Sequence, residues 1–383
     1  MHNNSIITLS ESALHQNLKF LRQHIKKGVI ISSVVKGNAY GHDIETFVSM
    51  ALAEKVNHFS VFDSQEAKRV KAVVGNKASI MIMGWLSNED LEWAILNEVS
   101  FYVFEQSRLE AAIATSKRLG KKCQLHIEVE TGMNRTGFQA STFKKLFKYL
   151  LSNQTFFELK GLCTHYAGAE SIANYYRIKQ QMERYEIIYA QFCAQGLKPE
   201  MRHTACSAAA MMYPETQLDM VRIGIMQYGF WPSAEVMISY FNLKRHRIDP
   251  LKRVLSWKSL VMSENTVKRG EFVGYGTSFM ADENMRVAVV PVGYAHGYSR
   301  TLSNLGRVLI HGVRCAVVGS INMNMLLVDI SAIPKVKVGD EVVLIGTQDT
   351  QAISVASFSD YSNMLNYELL TRISSEIPRK TIQ

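Results

Sequence analysis

Lys36 closes the apolar run Val29–Val35 and is followed at once by Gly37, Asn38, Tyr40, Gly41 and His42. An amine at the end of a buried strand is desolvated, which disfavours the ammonium form and lowers its pKa. A lysine held in that way forms a Schiff base readily with a carbonyl cofactor. The ordinary account of a strand-end lysine is a stem along apolar surface with its head in water. The glycine-bearing, hydrogen-bonding turn behind Lys36 favours chemistry instead. Other reactive types recur at the ends of apolar runs. Arg135 lies in Glu128-Val-Glu-Thr-Gly-Met-Asn-Arg135, His165 in Cys163-Thr-His165 and Ser207 in His203-Thr-Ala-Cys-Ser207, while Arg222, Gly224 and Ile225 close a further run. Singly, these read as a surface arginine, a satisfied histidine and a helix-capping serine. Together they gather the groups that an anionic, carbonyl-bearing ligand needs. Ser207 and the glycine-bearing backbone make a phosphate cradle, to which Tyr40 adds a hydroxyl donor.

What positions them is an alternation of strands and helices. The strand-like runs are Val29–Val35, His58–Phe62, Ser79–Met83, Val99–Val103, Cys123–Val129, Phe157–Thr164, Met201–Ala205 and Asp219–Gly224, with crossover-length segments between them. Eight parallel strands joined by crossovers close into a (β/α)8 barrel, whose functional groups stand at the C-terminal strand ends. A doubly wound open sheet is the alternative, but no G-x-G-x-x-G follows the first strand. After about residue 243 the texture changes to short β-rich runs punctuated by glycines, from Val254–Val267 to Glu341–Ile345. The expected fold is α/β: a (β/α)8 TIM-type barrel over residues 1–242 and a mostly-β domain over 243–383.

The chain has 383 residues, enough for two domains, and 47% are hydrophobic, which excludes wholesale disorder. The net charge of +9 is spread over helix-like stretches, as on a solvated surface, with no nucleic-acid module beside it. Five dispersed cysteines form no CxxC pair and no zinc spacing, so no metal is expected and a reducing compartment is. No signal peptide or membrane span is visible, and a cytoplasmic location is expected.

Six motifs carry a family resemblance: Val35-Lys-Gly-Asn-Ala-Tyr-Gly41, Thr131-Gly-Met-Asn-Arg135, Val221-Arg-Ile-Gly-Ile225, Gly274-Tyr-Gly276, Val292-Gly-Tyr-Ala295 and Asn366-Tyr-Glu368. In that order and across nearly the whole chain, the sequence resembles the alanine racemases, pyridoxal-phosphate enzymes with a barrel and a β-rich domain. The resemblance implies a homodimer that interconverts L- and D-alanine and supplies D-alanine for cell-wall peptidoglycan. It implies that Lys36 binds pyridoxal 5′-phosphate covalently and is one of two bases. Tyr275, from the partner subunit, is the other. Tyr40, Ser207, Gly224, Ile225 and Tyr367 would hold the phosphate, His165 would lie against the pyridine ring, and Arg222 would donate to its nitrogen. Arg135 and the backbone of Met323 would orient the substrate carboxylate. Tyr294 would line the entrance, and Arg300 would support Tyr275. Racemisation removes a proton from one face of a carbon and returns one to the other, so two bases suit it.

Four positions depart from the family pattern. Glu128 stands where many members carry a carbamylated lysine, and is expected to orient Arg135 by a charge-assisted contact. Asn322 and Asn324 flank Met323 where Cys and Asp are common, and His296 replaces a common Asp. Serine or broader amino-acid racemisation is the alternative these changes keep open. A decarboxylase of the same build would favour a carboxylate at the pyridine nitrogen, against Arg222. A non-catalytic cofactor-binding barrel would lack Tyr275 and the second domain.

Overall fold

The computed structural model describes residues 4–244, 248–355 and 366–383. The chain divides into two compact units. The first comprises Ala13–Lys36 and Val48–Lys252. Its strands are Ile30–Val34, His58–Val61, Ser79–Ile82, Ser100–Val103, Cys123–Glu128, Phe157–Cys163, Met201–His203 and Met220–Ile223. All seven pairings among them are parallel, running in sequence order with Met220–Ile223 returning to Ile30–Val34. Hydrogen bonds from the Asp219 amide to the Arg202 carbonyl (3.1 Å) and from the Arg222 amide to the Ala205 carbonyl (2.9 Å) bring the remaining edge together. The result is a nearly closed barrel on the eight runs the sequence marks.

Strands covered on both faces read as near-continuous apolar runs, which is why they stand out. His58–Val61, Ser100–Val103 and Met220–Ile223 are buried at every position. The interior is nonetheless polar. Ser32 bonds Ser60 and His58, and His126 bonds His203, all buried. The helices start on local signals. Ser87 accepts from the Asp90 amide at 3.1 Å and caps Asn88–Leu96, while Asp63 caps Ser64–Val74.

The second unit comprises Met1–Ser12, Gly37–Phe47 and Arg253–Gln383. Its ten-stranded sheet runs Ser263–Val267, Met285–Val290, Leu326–Asp329, Val313–Val318, Arg307–Ile310, Glu341–Gln348, Leu255–Leu260, Ser5–Ser10 and Arg379–Ile382, with Gln351–Ile353 beside Glu341–Gln348. The apolar stretch Val254–Val267 is thus two strands. The N-terminus also departs from a division at residue 242. Ser5–Ser10 pairs antiparallel with Leu255–Leu260 and parallel with Arg379–Ile382. Its burial alternates with period two, and Ile7 and Leu9 are the inward residues. Among the described residues no helix is long and apolar enough to cross a membrane.

Candidate active site

In the barrel, the reactive groups stand where the strands end. Lys36 follows Ile30–Val34, and its side chain reaches solvent at the strand end. The protein around it still matters. Partial desolvation lowers the amine's pKa from its ordinary 10.5, the Arg135 and Arg222 charges lower it further, and Glu66 opposes them. The structure therefore brings Lys36, Arg135 and Arg222 into one electrostatic neighbourhood.

Arg222 is buried, and its charge is met by dipoles. Nη1 donates to His203 Nδ1 and the His203 carbonyl, both at 2.7 Å. Nη2 donates to the Thr164 carbonyl (2.8 Å) and the Thr204 carbonyl (3.1 Å). A guanidinium only donates, so His203 Nδ1 accepts and its proton sits on Nε2. That nitrogen lies 2.8 Å from His126 Nδ1, which must accept in turn. Burial holds both imidazoles far below the ordinary histidine pKa and hence neutral. Gly161 makes the pair feasible, because a Cβ there would collide with His126 Nδ1. His126 and His203 are site-supporting residues that sequence reasoning missed. The available signal was a histidine interrupting each of two apolar strands. His165 is driven down to about 3, by burial first and by Arg222 and Arg135 next, so it is neutral as well.

Ser207 opens the short helix Ser207–Met212, and its Oγ accepts from the Gly224 amide at 3.0 Å. Its own hydroxyl proton is free to point elsewhere. Ile225 starts the turn Ile225–Tyr228, whose first amide has no partner within the turn. Ser207, Gly224 and Ile225 are thus gathered in one place, with the Ser207 hydroxyl and the Ile225 amide as the donors left over once the Gly224 amide is bonded to Ser207.

The two glutamates differ. Glu128 is buried at the end of Cys123–Glu128, and burial pushes its carboxyl above the usual range. A hydrogen bond from the Thr136 side chain and the charges of Arg222 and Arg135 work the other way. No ion pair joins Glu128 to Arg135 among the described residues, so the expected direct contact is absent. Glu130 lies beyond the strand and is the loop's anchor. Its carboxylate accepts from the amides of Gly132 and Asn134, the latter at 2.8 Å. That shapes the turn presenting Arg135, which is exposed.

In the second unit, Tyr40 and Tyr367 come together, with ring centroids 5.9 Å apart. Tyr40 ends an unusual turn. Gly37, Asn38, Ala39 and Tyr40 all have φ between 53° and 62°. Three consecutive non-glycine residues there form a left-handed turn that costs about 1–2 kcal/mol per residue. On the β-domain, Tyr275 is 74% exposed and Met323 is 55% exposed. Gly293 lets the chain before Tyr294 press against the Asn322 and Met323 carbonyls, where any Cβ would clash. The Tyr294 and Ala295 amides donate to those carbonyls at 3.0 Å each. Tyr294 and Met323 are therefore fixed side by side. His296 Nδ1 accepts from the Gly293 amide at 3.1 Å, the capping task an aspartate oxygen performs. Arg300 is exposed, and no hydrogen bond joins its side chain to Tyr275 among the described residues. A separate cavity of about 670 Å³ beside Tyr166 and Met182 touches none of these groups.

A lysine amine near two arginine charges and a buried arginine–histidine chain thus stand at the C-terminal mouth of an α/β barrel, the place where barrel enzymes keep their sites. Residues 9–232 match the alanine racemase N-terminal domain model and residues 254–381 the C-terminal domain model. The chain belongs to the alanine racemase family, and it is an isomerase of that class. It is 32% identical over 375 residues to the alanine racemase of Leptospira interrogans, covering 98% of this chain and 95% of the relative. It is 33% identical to that of Symbiobacterium thermophilum over 368 residues, covering 96% and 94%. Among solved structures, the Bacillus anthracis alanine racemase with bound L-Ala-P superposes with a TM-score of 0.91 at 29% identity, covering 100% and 96% of the two chains. A Bartonella henselae alanine racemase with covalently bound pyridoxal phosphate gives 0.85 at 26% identity, covering 99% and 100%.

Proposed function

We propose that this chain interconverts L- and D-alanine with pyridoxal 5′-phosphate, using Lys36 and Tyr275 as two bases on opposite faces of the substrate carbon, and that it works as a homodimer. The observation that carries the reading is Lys36: an amine whose pKa is lowered by its surroundings, between Arg135 and Arg222, at a barrel strand end. Three features fit the cofactor. Arg222 uses Nη1 and Nη2 for its four bonds and keeps Nε for a ring nitrogen. His165 is neutral and can lie flat on an aromatic face. The Ser207 hydroxyl and the Ile225 amide offer donors to a phosphate lying against Gly224, a task Tyr40 and Tyr367 share. The cofactor supplies an electron sink for the charge left when the Cα proton departs.

The protein's own residues do the rest. Lys36 Nζ takes or returns the proton on one face, and the Tyr275 phenol on the other. Arg135 and the Met323 backbone hold the substrate carboxylate. Arg222 can only donate, so it leaves the ring nitrogen unprotonated and tempers the sink, which disfavours side reactions such as transamination. Tyr275 is too exposed in a single chain to serve a sealed site, which supports its reaching the substrate of a second copy. In this reading Tyr294 lines the entrance, and Arg300 supports Tyr275 as a base. The D-alanine serves cell-wall synthesis in the cytoplasm.

Borohydride reduction of the cofactor-loaded protein should fix the label on Lys36 by peptide mapping, and Lys36→Ala should abolish both label and racemisation. A purified, loaded chain that leaves L-alanine optically pure overturns the reading. Product from L-serine at a comparable kcat/KM would favour the broader racemase that Asn322, Asn324 and His296 keep open.

A further inference from the structure

The left-handed turn that carries Tyr40 is too costly to persist by itself, so something outside it must hold it. Inside the turn, the Gly41 amide donates to the Gly37 carbonyl (3.0 Å) and the Asp43 amide to the Asn38 carbonyl (3.0 Å). The Asn38 side chain accepts from the Ile44 amide at 3.2 Å, and His42 Nδ1 lies 2.9 Å from the Tyr40 carbonyl. These bonds close the turn on itself without fixing where it sits. Contacts with the rest of the unit do that, two of them at Gly41. Gly41 is pressed against the Leu370 carbonyl oxygen, where any Cβ would collide. Arg379 Nη2 donates to the Gly41 carbonyl at 3.0 Å across a sequence separation of 338 residues.

Arg379 is itself held from two sides. It pairs with Ile7 in the sheet, and the Ile7 amide donates to the neighbouring Pro378 carbonyl at 3.0 Å. Its Nη1 donates to the Ser374 carbonyl (2.6 Å) and to the Ile377 carbonyl. Those carbonyls belong to the segment that leaves the helix Asn366–Arg372, and that helix carries Tyr367. One guanidinium therefore bonds to the platform of Tyr40 and to the platform of Tyr367, whose rings are 5.9 Å apart. Tyr367 stands on that helix and Tyr40 on the left-handed turn, so the spacing of the two phenols follows how these platforms are joined.

We propose that Arg379 is the positioning residue that sets the spacing of Tyr40 and Tyr367, and through them the affinity of the protein for the phosphate of its cofactor. The proposal rests on the pyridoxal-phosphate reading above. It assigns the C-terminal strand a part in ligand binding that its distance in sequence from both tyrosines conceals. Arg379 touches no reacting atom in this scheme. It lowers the cost of presenting two hydroxyls to one anion by fixing them beforehand.

The test compares pyridoxal 5′-phosphate with pyridoxal, which lacks the phosphate, as ligands of the cofactor-free protein, by fluorescence titration. In the unsubstituted protein the phosphate should confer a large affinity advantage. Arg379→Met keeps the aliphatic stem, removes the donors and should weaken pyridoxal 5′-phosphate about tenfold or more, the range for losing hydrogen bonds from a charged group. Pyridoxal binding should stay within about twofold, because an equilibrium constant moves little when no contact to the ligand changes. Arg379→Lys, with one donor head of similar reach, should fall between. Equal weakening of both ligands, or of neither, overturns the proposal. Should Arg379→Met not fold, Arg379→Lys carries the same comparison, and an unchanged ratio of the two affinities there overturns it. Unsubstituted protein that binds neither ligand would instead sink the cofactor assignment itself.

Discussion

The barrel mouth and the β-domain patch solve opposite problems. Behind Lys36 and Arg135, which meet solvent, the polar groups are buried and tied to one another: Arg222 to His203, His203 to His126, Ser207 to Gly224. On the β-domain, Tyr275, Tyr294 and Met323 point outward and are 74%, 42% and 55% exposed. The first region is finished within one chain. The second has fixed backbones and uncovered side chains, as a surface does when another surface completes it. One base of the proposed pair belongs to the pre-formed region and the other to the uncovered one.

Substitutions can break that contrast. Tyr275→Phe removes the base on the uncovered side while leaving the barrel mouth intact. Racemisation should drop about 100- to 10,000-fold, the usual contribution of a positioned acid–base group. Solvent-deuterium exchange into one alanine enantiomer should survive, read by mass spectrometry, because the other face keeps its base. If exchange into both enantiomers disappears together, the two regions do not act on separate faces.

A second substitution tests the finished region. His203→Leu takes an acceptor from Arg222 Nη1 and a donor from His126. Buried groups left partly unsatisfied cost about 1–3 kcal/mol each. Urea unfolding should therefore show a loss of about 2 kcal/mol. Unchanged stability would mean that the relay is not what holds the arginine.

The smallest effect is a dependence on pH. Burial raises the Glu128 carboxyl above its ordinary 4.5, so the folded chain binds that proton more tightly than the unfolded chain does. Stability from this group is then fully present below about pH 4.5 and is lost as pH rises through the folded value. Glu128→Gln keeps the neutral form at every pH. Its Tm relative to the unsubstituted protein should improve as pH rises through that window and then level off. A difference that is flat with pH would show that Glu128 is charged at no extra cost. Because Glu128 makes no ion pair with Arg135, its effect on KM for alanine should be modest.

The eight barrel strands and their order were legible because a strand buried on both faces leaves an uninterrupted apolar run. So were the ends of those strands, and with them Lys36, Arg135, Arg222 and Ser207. What was hidden depends on contacts remote in sequence. No local propensity favours Asn38, Ala39 and Tyr40 in a left-handed turn, and the packing of Gly41 on Leu370 and the reach of Arg379 lie far from it in sequence. Glu128 and Glu130 are two residues apart, the spacing of one strand face, but the strand ends between them, so one is buried and the other grips the loop. The strand Ser5–Ser10 has a plain period-two pattern, yet nothing local reveals that its partners lie some 250 and 370 residues away.

That pairing has a consequence for how the molecule is made. The strand Ser5–Ser10 sits between Leu255–Leu260 and Arg379–Ile382. On a translating ribosome its second neighbour is made some 370 residues after it. The barrel segment can collapse as soon as it is synthesised, but this sheet waits for Arg379–Ile382, with one strand edge open to mispairing meanwhile.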